Sequence, residues 1–226
     1  GVWTWISDEN RRLIVEFLHR RLKPGGVVYI SYNTMPGWAP MLPLRELMTS
    51  HAALTSEPML TRIDQALDFA GRVQGIQAGY FVHNPTVAAR FDRLRAMNRN
   101  YLAHEYFNRD WRPFYFSDVA RDLAAAKLTI AGPANLIDHV DAVNLKPEAQ
   151  QLLSEITEPT YRETVRDFLM NQTFRRDLFV RGAPSLGAAD QAERLMAVRA
   201  TLLSDPEGVP LKRGFPIGEL ELRADI

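Results

Sequence analysis

Leu22-Lys23-Pro24-Gly25-Gly26-Val27-Val28-Tyr29-Ile30-Ser31-Tyr32 is the stretch on which the fold turns. Lys23-Pro24-Gly25-Gly26 ends a helix, because proline has no N–H to continue it and glycine reaches backbone angles closed to other residues. The run from Val27 is apolar with little alternation, which predicts a strand covered on both faces, as in a parallel sheet between helices. Upstream, Ser7-Asp8-Glu9-Asn10 reads as a helix start, with Ser7 as cap and two acids at the positive end of the dipole. Leu13, Ile14, Phe17, Leu18 and Leu22 then recur at helical spacing and predict one buried face. Helix, Pro-Gly-Gly turn and buried strand make one αβ unit of an open α/β fold.

Working outward, Asn33-Thr34-Met35-Pro36-Gly37-Trp38 is a loop, and residues 42–108 carry helical periodicity only. Leu44, Leu47, Met48 and His51 share one face; Leu60, Ile63, Leu67 and Ala70 share a second; Val87, Phe91, Leu94 and Met97 share a third, behind an Asn84 cap and Pro85. The α/β pattern resumes at Pro113-Phe114-Tyr115-Phe116, with Ser117 expected to cap a helix, a strand over 128–132, helices over 146–156 and 159–171, and a strand over 175–181. The charged ends of that last strand predict a place near a sheet edge. A linker over 183–187, a helix over 188–203 and a Pro/Gly-punctuated stretch over 208–226 follow. The chain therefore divides into 1–40 (end of an α/β core), 41–110 (helical insertion), 111–182 (segment completing the sheet) and 183–226 (linker, helix and the start of a further region). The strands over 27–32, 128–132 and 175–181 are expected in one sheet, with the insertion over its carboxyl edge.

Composition narrows the function. The 226 residues are 46% hydrophobic and 24% charged, too apolar for a disordered chain. Lys+Arg and Asp+Glu are both 27, so no global basic field exists to draw in a nucleic acid. With no cysteine, disulfides, thiol catalysis and cysteine-ligated metals are excluded, and a reducing cytoplasm fits. No apolar run approaches a membrane span. Gly1-Val2-Trp3-Thr4-Trp5-Ile6 reads as the interior of a fold, so the chain is expected to be part of a longer protein.

Seven segments carry a family resemblance. Leu22 to Ser31 resembles the turn and strand late in class I S-adenosylmethionine (SAM)-dependent methyltransferases, and Trp3-Thr4-Trp5-Ile6 resembles the end of the preceding strand with its active-site loop. Ser31-Tyr32-Asn33-Thr34-Met35-Pro36-Gly37-Trp38 resembles a signature of bacterial methyltransferases that carry a methyltransferase regulatory domain. Arg45 to His51, Tyr101-Leu102-Ala103-His104-Glu105-Tyr106, Arg112 to Ser117 and Phe174 to Arg181 agree with it in order. Rickettsial protein-lysine methyltransferases are similar in architecture. The resemblance implies the C-terminal part of a Rossmann-like sheet with a mainly helical insertion, SAM as cofactor of the intact protein, and a protein or small-molecule methyl acceptor, protein lysine among them. The family's strand, Gly-rich loop and helix for SAM have no counterpart here: Gly25-Gly26 precedes a strand instead of following one. The fragment alone is expected to be inactive and to bind SAM negligibly. The competing reading is a non-catalytic regulatory or dimerisation module that binds a protein partner, a homodimer included.

Trp3, Trp5, Tyr32, Asn33 and Trp38 cluster at the carboxyl ends of two expected strands, where open α/β sheets bind ligands. Tyr32 and Asn33 are expected to position the acceptor or the methyl donor, and Trp3, Trp5 and Trp38 to wall the pocket against water. Tyr32→Phe should then lower turnover with little loss of stability. His51, His104 and Glu105 invite a metal or acid–base reading, but the two histidines lie far apart in sequence and no third ligand is signalled, which favours hydrogen bonds between insertion and core and no metal.

Overall fold

The computed structural model describes residues 1–182, 186–201, 203 and 205–221. Most of the expected linker at 183–187, part of the expected helix over 188–203 and residues 222–226 lie outside the described residues. The elements before the first strand are α1 (Val2–Trp5) and α2 (Asp8–Arg21); β1 (Val27–Asn33) follows. The insertion is α3 (Leu42–Ala52), α4 (Met59–Gly75), α5 (Gly79–His83), α6 (Pro85–Arg95) and α7 (Arg99–Glu105). Next come α8 (Phe116–Ala124), β2 (Leu128–Pro133), α9 (Asp141–Asn144), α10 (Pro147–Ser154), α11 (Pro159–Met170) and β3 (Phe174–Arg181). A helix α12 (Ala188–Met196) and a hairpin of β4 (Lys212–Phe215) and β5 (Gly218–Glu221) end the described chain.

The three expected strands do share a sheet, in the order β1-β3-β2. Both pairings are antiparallel, with Val27 opposite Val180, Tyr32 opposite Arg175 and Leu128 opposite Arg181. The last strand in sequence is thus central, not at the edge. Its charges do not mark solvent: Arg175 and Asp177 are buried and satisfied by one another and by neighbours. Gly25, at φ +79°, makes the turn into β1 and donates its N–H to the Arg181 carbonyl at 2.7 Å, tying the turn to the end of β3.

β1 differs from the expected doubly covered strand. Ile30 and Tyr32 are buried with Phe179, Leu128 and the Phe116, Val119 and Leu123 side of α8. Val27 and Tyr29, on the opposite face, are 57% and 55% exposed. Only one sheet face is covered by the described residues, and β1 pairs with a strand along one edge alone. Helix α2 is turned away from its expected face in the same sense. Ser7 caps it as expected, accepting from the Asn10 N–H at 3.2 Å. The residues it turns inward are Arg11, Val15, Leu18 and Leu22, while Leu13, Ile14 and Phe17 are exposed. Arg11 is tolerated inside because its guanidinium caps the Trp3 carbonyl at 2.8 Å and the Ile6 carbonyl, at the end of α1. Trp3-Thr4-Trp5 is therefore helical, not the end of a strand.

The insertion is helical throughout and has its own core, in which Leu44, Met48, Ile63, Leu67, Ala70, Phe91 and Leu94 are buried. The expected faces hold except at two residues: Leu60 is 44% exposed and Met97 40%. α8 begins two residues earlier than expected, at Phe116 with Tyr115 at the cap position, so Ser117 lies in its first turn and does not cap it. Among the described residues no helix is long and apolar enough to cross a membrane.

Candidate functional site

Asn33 closes β1, and the loop after it is held by the returning chain. The Asn33 N–H donates to Thr4 Oγ1 at 2.9 Å, and the Phe114 N–H donates to the Asn33 carbonyl at 3.0 Å. Gly37 lies so close to the Asn171 and Gln172 carbonyls that a Cβ there would sit 2.5 Å from each oxygen. Any side chain would push this loop off β3, so the glycine fixes where Trp38 lands. Trp38 is buried against Tyr106 and Trp111, with ring centroids 5.5 and 4.8 Å apart.

A cavity of about 620 Å³ opens at this end of β1. It brings together Trp5, Asn33, Trp38 and Glu105, four of the eight residues singled out from the sequence. Asn33 Nδ2 donates to Glu105 Oε2 at 3.1 Å, a buried bond joining β1 to α7 across seventy-two positions of sequence. The Glu105 carboxylate thus bridges insertion and core as expected, and its second oxygen has no protein donor among the described residues. Arg90, Tyr101, Tyr106 and Phe174 complete the wall. The Arg90 guanidinium lies 4.0 Å above the Trp38 ring. Burial pushes the Tyr106 hydroxyl above its ordinary pKa, opposed by the adjacent Arg90 charge.

The other four residues lie elsewhere. Alternation along β1 turns Tyr32 to the covered face, where it is fully buried and its hydroxyl donates to Asp177 Oδ2 at 2.7 Å. Trp3 is buried in the same core. His51 stacks flat on Phe69 within the insertion, 4.4 Å between ring centroids. His104 is exposed, 6.3 Å from Trp5 ring to ring, at the rim. Among the described residues no three His, Asp or Glu side chains gather as a metal site would need. A larger cavity, about 790 Å³, lies between α2 and α8, but its Asp8 carboxylate is already paired with both Arg11 and Arg112.

Tyr101 and Tyr106 stand within the segment that resembles the family's, and could have been named with Glu105. Arg90 and Arg93 carry no local signal. They reach the cavity only because α6 brings Arg90 against Trp38, in the loop after β1.

Known proteins are similar to this chain in sequence and fold. Residues 98–181 match the predicted methyltransferase regulatory domain family. That domain begins with α7 and ends with β3, so it supplies Glu105, while Asn33, Trp5 and Trp38 precede it. An uncharacterized protein of Synechocystis sp. is 47% identical over all 226 residues, which span 45% of its length. An uncharacterized protein of Rickettsia prowazekii is 25% identical over 181 residues, 79% of this chain and 32% of that protein. The structure of PKMT2 from Rickettsia typhi superposes on 83% of this chain and 35% of its own, with 26% identity and a TM-score of 0.63. Its complex with AdoHcy covers 93% and 41%, at 24% identity and a TM-score of 0.66. The chain spans less than half the length of these relatives. The methyltransferase context expected from the sequence is the one found, and the fold is a helix-rich α/β arrangement like that of PKMT2.

Proposed function

We propose that this chain forms the acceptor side of a SAM-dependent methyltransferase acting on an amine, with a protein lysine as the class of acceptor. The observation that carries the reading is the Asn33–Glu105 pair, set at the carboxyl end of β1 inside an aromatic cavity. Methyl transfer to nitrogen needs an amine that is desolvated, deprotonated and aligned. Trp5, Trp38 and Tyr106 strip water from it. Glu105, its own orientation fixed by Asn33, holds the ammonium on entry and takes up hydrogen-bond donation as the proton leaves. Tyr32, named beside Asn33 from the sequence, takes a structural role in this reading, since its hydroxyl reaches Asp177 and not the cavity.

SAM, when bound, supplies the electrophilic methyl group. The residues here fit it only in part. Aromatic faces beside the cavity suit a sulfonium, but no strand among the described residues runs through a Gly-rich turn into a helix to hold a nucleoside. The nucleoside is assigned to the part of the longer protein beyond the free edge of β1; Val27 and Tyr29 of β1, and Leu13, Ile14 and Phe17 of α2, are exposed apolar residues that such a part would cover. In this reading the sheet is the end of a Rossmann-like one, and the protein works in the cytoplasm, in keeping with its cysteine-free composition.

The test is transfer of a labelled methyl group from SAM to lysine peptides by the longer protein and by its Glu105→Gln and Asn33→Ala variants. Both variants should keep their fold and lose roughly tenfold or more in turnover. Transfer at the unaltered rate by Glu105→Gln would reject the reading. SAM titrated calorimetrically into residues 1–226 alone should give negligible binding and into the longer protein clear binding.

A further inference from the structure

Resting on that reading, we infer that Arg90 and Arg93 form a carboxylate-recognising mouth, so that the preferred acceptor is an amine with an acidic group beside it, such as a lysine next to aspartate or glutamate. Both arginines line the same cavity as Asn33 and Glu105 and both come from α6. Three positions apart on a helix they are neighbours of like charge, and among the described residues neither forms an ion pair with an acid. Glu105 is the one acid among the described residues that line the cavity, and it is buried and engaged by Asn33. The cavity is therefore polarised: one carboxylate at its inner end, two guanidiniums at its outer wall.

The geometry of Arg90 makes the outer charge specific. Its planar face is taken by the Trp38 ring at 4.0 Å and one N–H faces the Tyr106 hydroxyl, which leaves its other N–H groups to meet a ligand in the plane. Edge-on guanidinium is the arrangement that binds carboxylate through two parallel hydrogen bonds. Arg93, exposed one turn further along α6, adds charge without such restraint. A ligand that places an ammonium toward Glu105 and an anion toward α6 satisfies both ends at once. A neutral flank leaves the arginines uncompensated, and a basic flank is repelled.

The amino-acid end of SAM also carries a carboxylate, so the experiment separates the two sources. Calorimetry or tryptophan fluorescence, with Trp5 and Trp38 as reporters, follows three titrants: an uncharged-end peptide with lysine between two aspartates, the same peptide with asparagines, and AdoHcy. The aspartate peptide should bind roughly tenfold tighter or better. Arg93→Glu, at an exposed site that leaves folding intact, should abolish the preference, and Arg90→Gln should reduce it. Equal affinity for the two peptides, no measurable binding of the aspartate peptide, or a preference that survives in Arg93→Glu overturns the inference. So does AdoHcy binding that weakens in both variants while peptide binding does not, since the mouth would then belong to the cofactor. Methylation assays on the same peptides are scored separately. A preference without methyl transfer would retain the mouth and reject the enzyme reading, and transfer without a preference would do the reverse.

Discussion

Tyr32 and Asn33 are neighbours in the chain and opposites in the fold. Each is tied through its side chain to an acid far away in sequence, Tyr32 to Asp177 at 2.7 Å and Asn33 to Glu105 at 3.1 Å. On the Tyr32 side the acid belongs to a closed network. Arg175 donates to Asp177 at 2.9 Å, to Asp167 at 2.6 Å and to Glu163 at 2.9 Å, and every member is largely shielded from water. On the Asn33 side the acid faces a cavity, with half its bonding capacity unused. The same kind of polar contact thus serves two ends. Where acids and guanidinium meet out of water, with Asp167 Oδ2 the one buried oxygen left without a partner among the described residues of the network, they lock β1 and β3 to α11; where an open oxygen faces a cavity, the group is available to a ligand. The two sides should accordingly respond to mutation in different ways, through stability on one and ligand chemistry on the other.

The largest separation should come from Arg175→Ala. Burial works against the Arg175 charge, but the acids around it outweigh that and hold it protonated. Removing it strands three carboxylates, two of them almost wholly buried, and should destabilise by about 3–5 kcal/mol. Urea unfolding measures this directly. A loss below about 1 kcal/mol would show that the network does not hold the fold together. The comparison on the cavity side, Arg93→Gln, should leave the unfolding midpoint nearly unchanged.

A pH series sharpens the contrast further. Burial pushes the Asp167 carboxyl up to about 7, with Arg175 pulling the other way. A carboxyl raised on folding is favoured in its protonated form. Its contribution is therefore complete below its ordinary value of 3.8 and is lost as pH rises through about 7. Stability should decline across that window by on the order of 1–3 kcal/mol from this group. Asp167→Asn keeps an acceptor for Arg175 without the titrating proton and should flatten the decline. Unfolding midpoints at about pH 5 and about pH 8 for both proteins test it; parallel curves would remove Asp167 as the source.

Much of this architecture is legible in the amino-acid sequence, and what is not has physical reasons. Segment types follow from periodicity and turn residues, which act locally, so Pro24-Gly25-Gly26, the Ser7 cap and the helical run over 42–108 are readable. The central place of β3 is not, because Arg175 and Asp177 look like a solvated strand end unless their partners on α11 are known. Leu13, Ile14 and Phe17 mislead in the other direction: their spacing marks a face to be buried, yet the described residues do not bury it. For the site, Trp5, Asn33, Trp38 and Glu105 converge because strand ends and signature loops are the right places to look. Tyr32 and Trp3 diverge because alternation and helix rotation decide which way a side chain points, and the assumption of a doubly buried strand hides that choice. Arg90 and Arg93 are invisible because only tertiary packing brings α6 against Trp38, in the loop after β1.

The smallest effect carries the sharpest decision. From sequence, Tyr32→Phe is expected to lower turnover while sparing stability; from its position, the reverse is expected. The ring stays buried in either case, so packing cancels and only the hydroxyl is tested. That hydroxyl is pushed well above its ordinary pKa by burial, reinforced by the Asp177 charge, so it is a fixed donor and takes no part in proton transfer near neutral pH. Its loss deprives Asp177 Oδ2 of one donor, but Arg175 Nε still reaches the same oxygen. The cost should thus sit near the lower end for a hydrogen bond to a charged group, about 1–1.5 kcal/mol, or a fall of roughly 2–6 °C in melting temperature for a chain of this size. Turnover per folded molecule should stay within about twofold in the longer protein, because the Asn33–Glu105 pair lies on the other face of β1. Asn33→Ala should show the mirror image, with turnover falling and the melting temperature holding to within a degree or two. If Tyr32→Phe instead slows transfer about tenfold at unchanged melting temperature, the hydroxyl acts on the reaction after all, and the division of β1 into a locking face and a working face fails at its central residue.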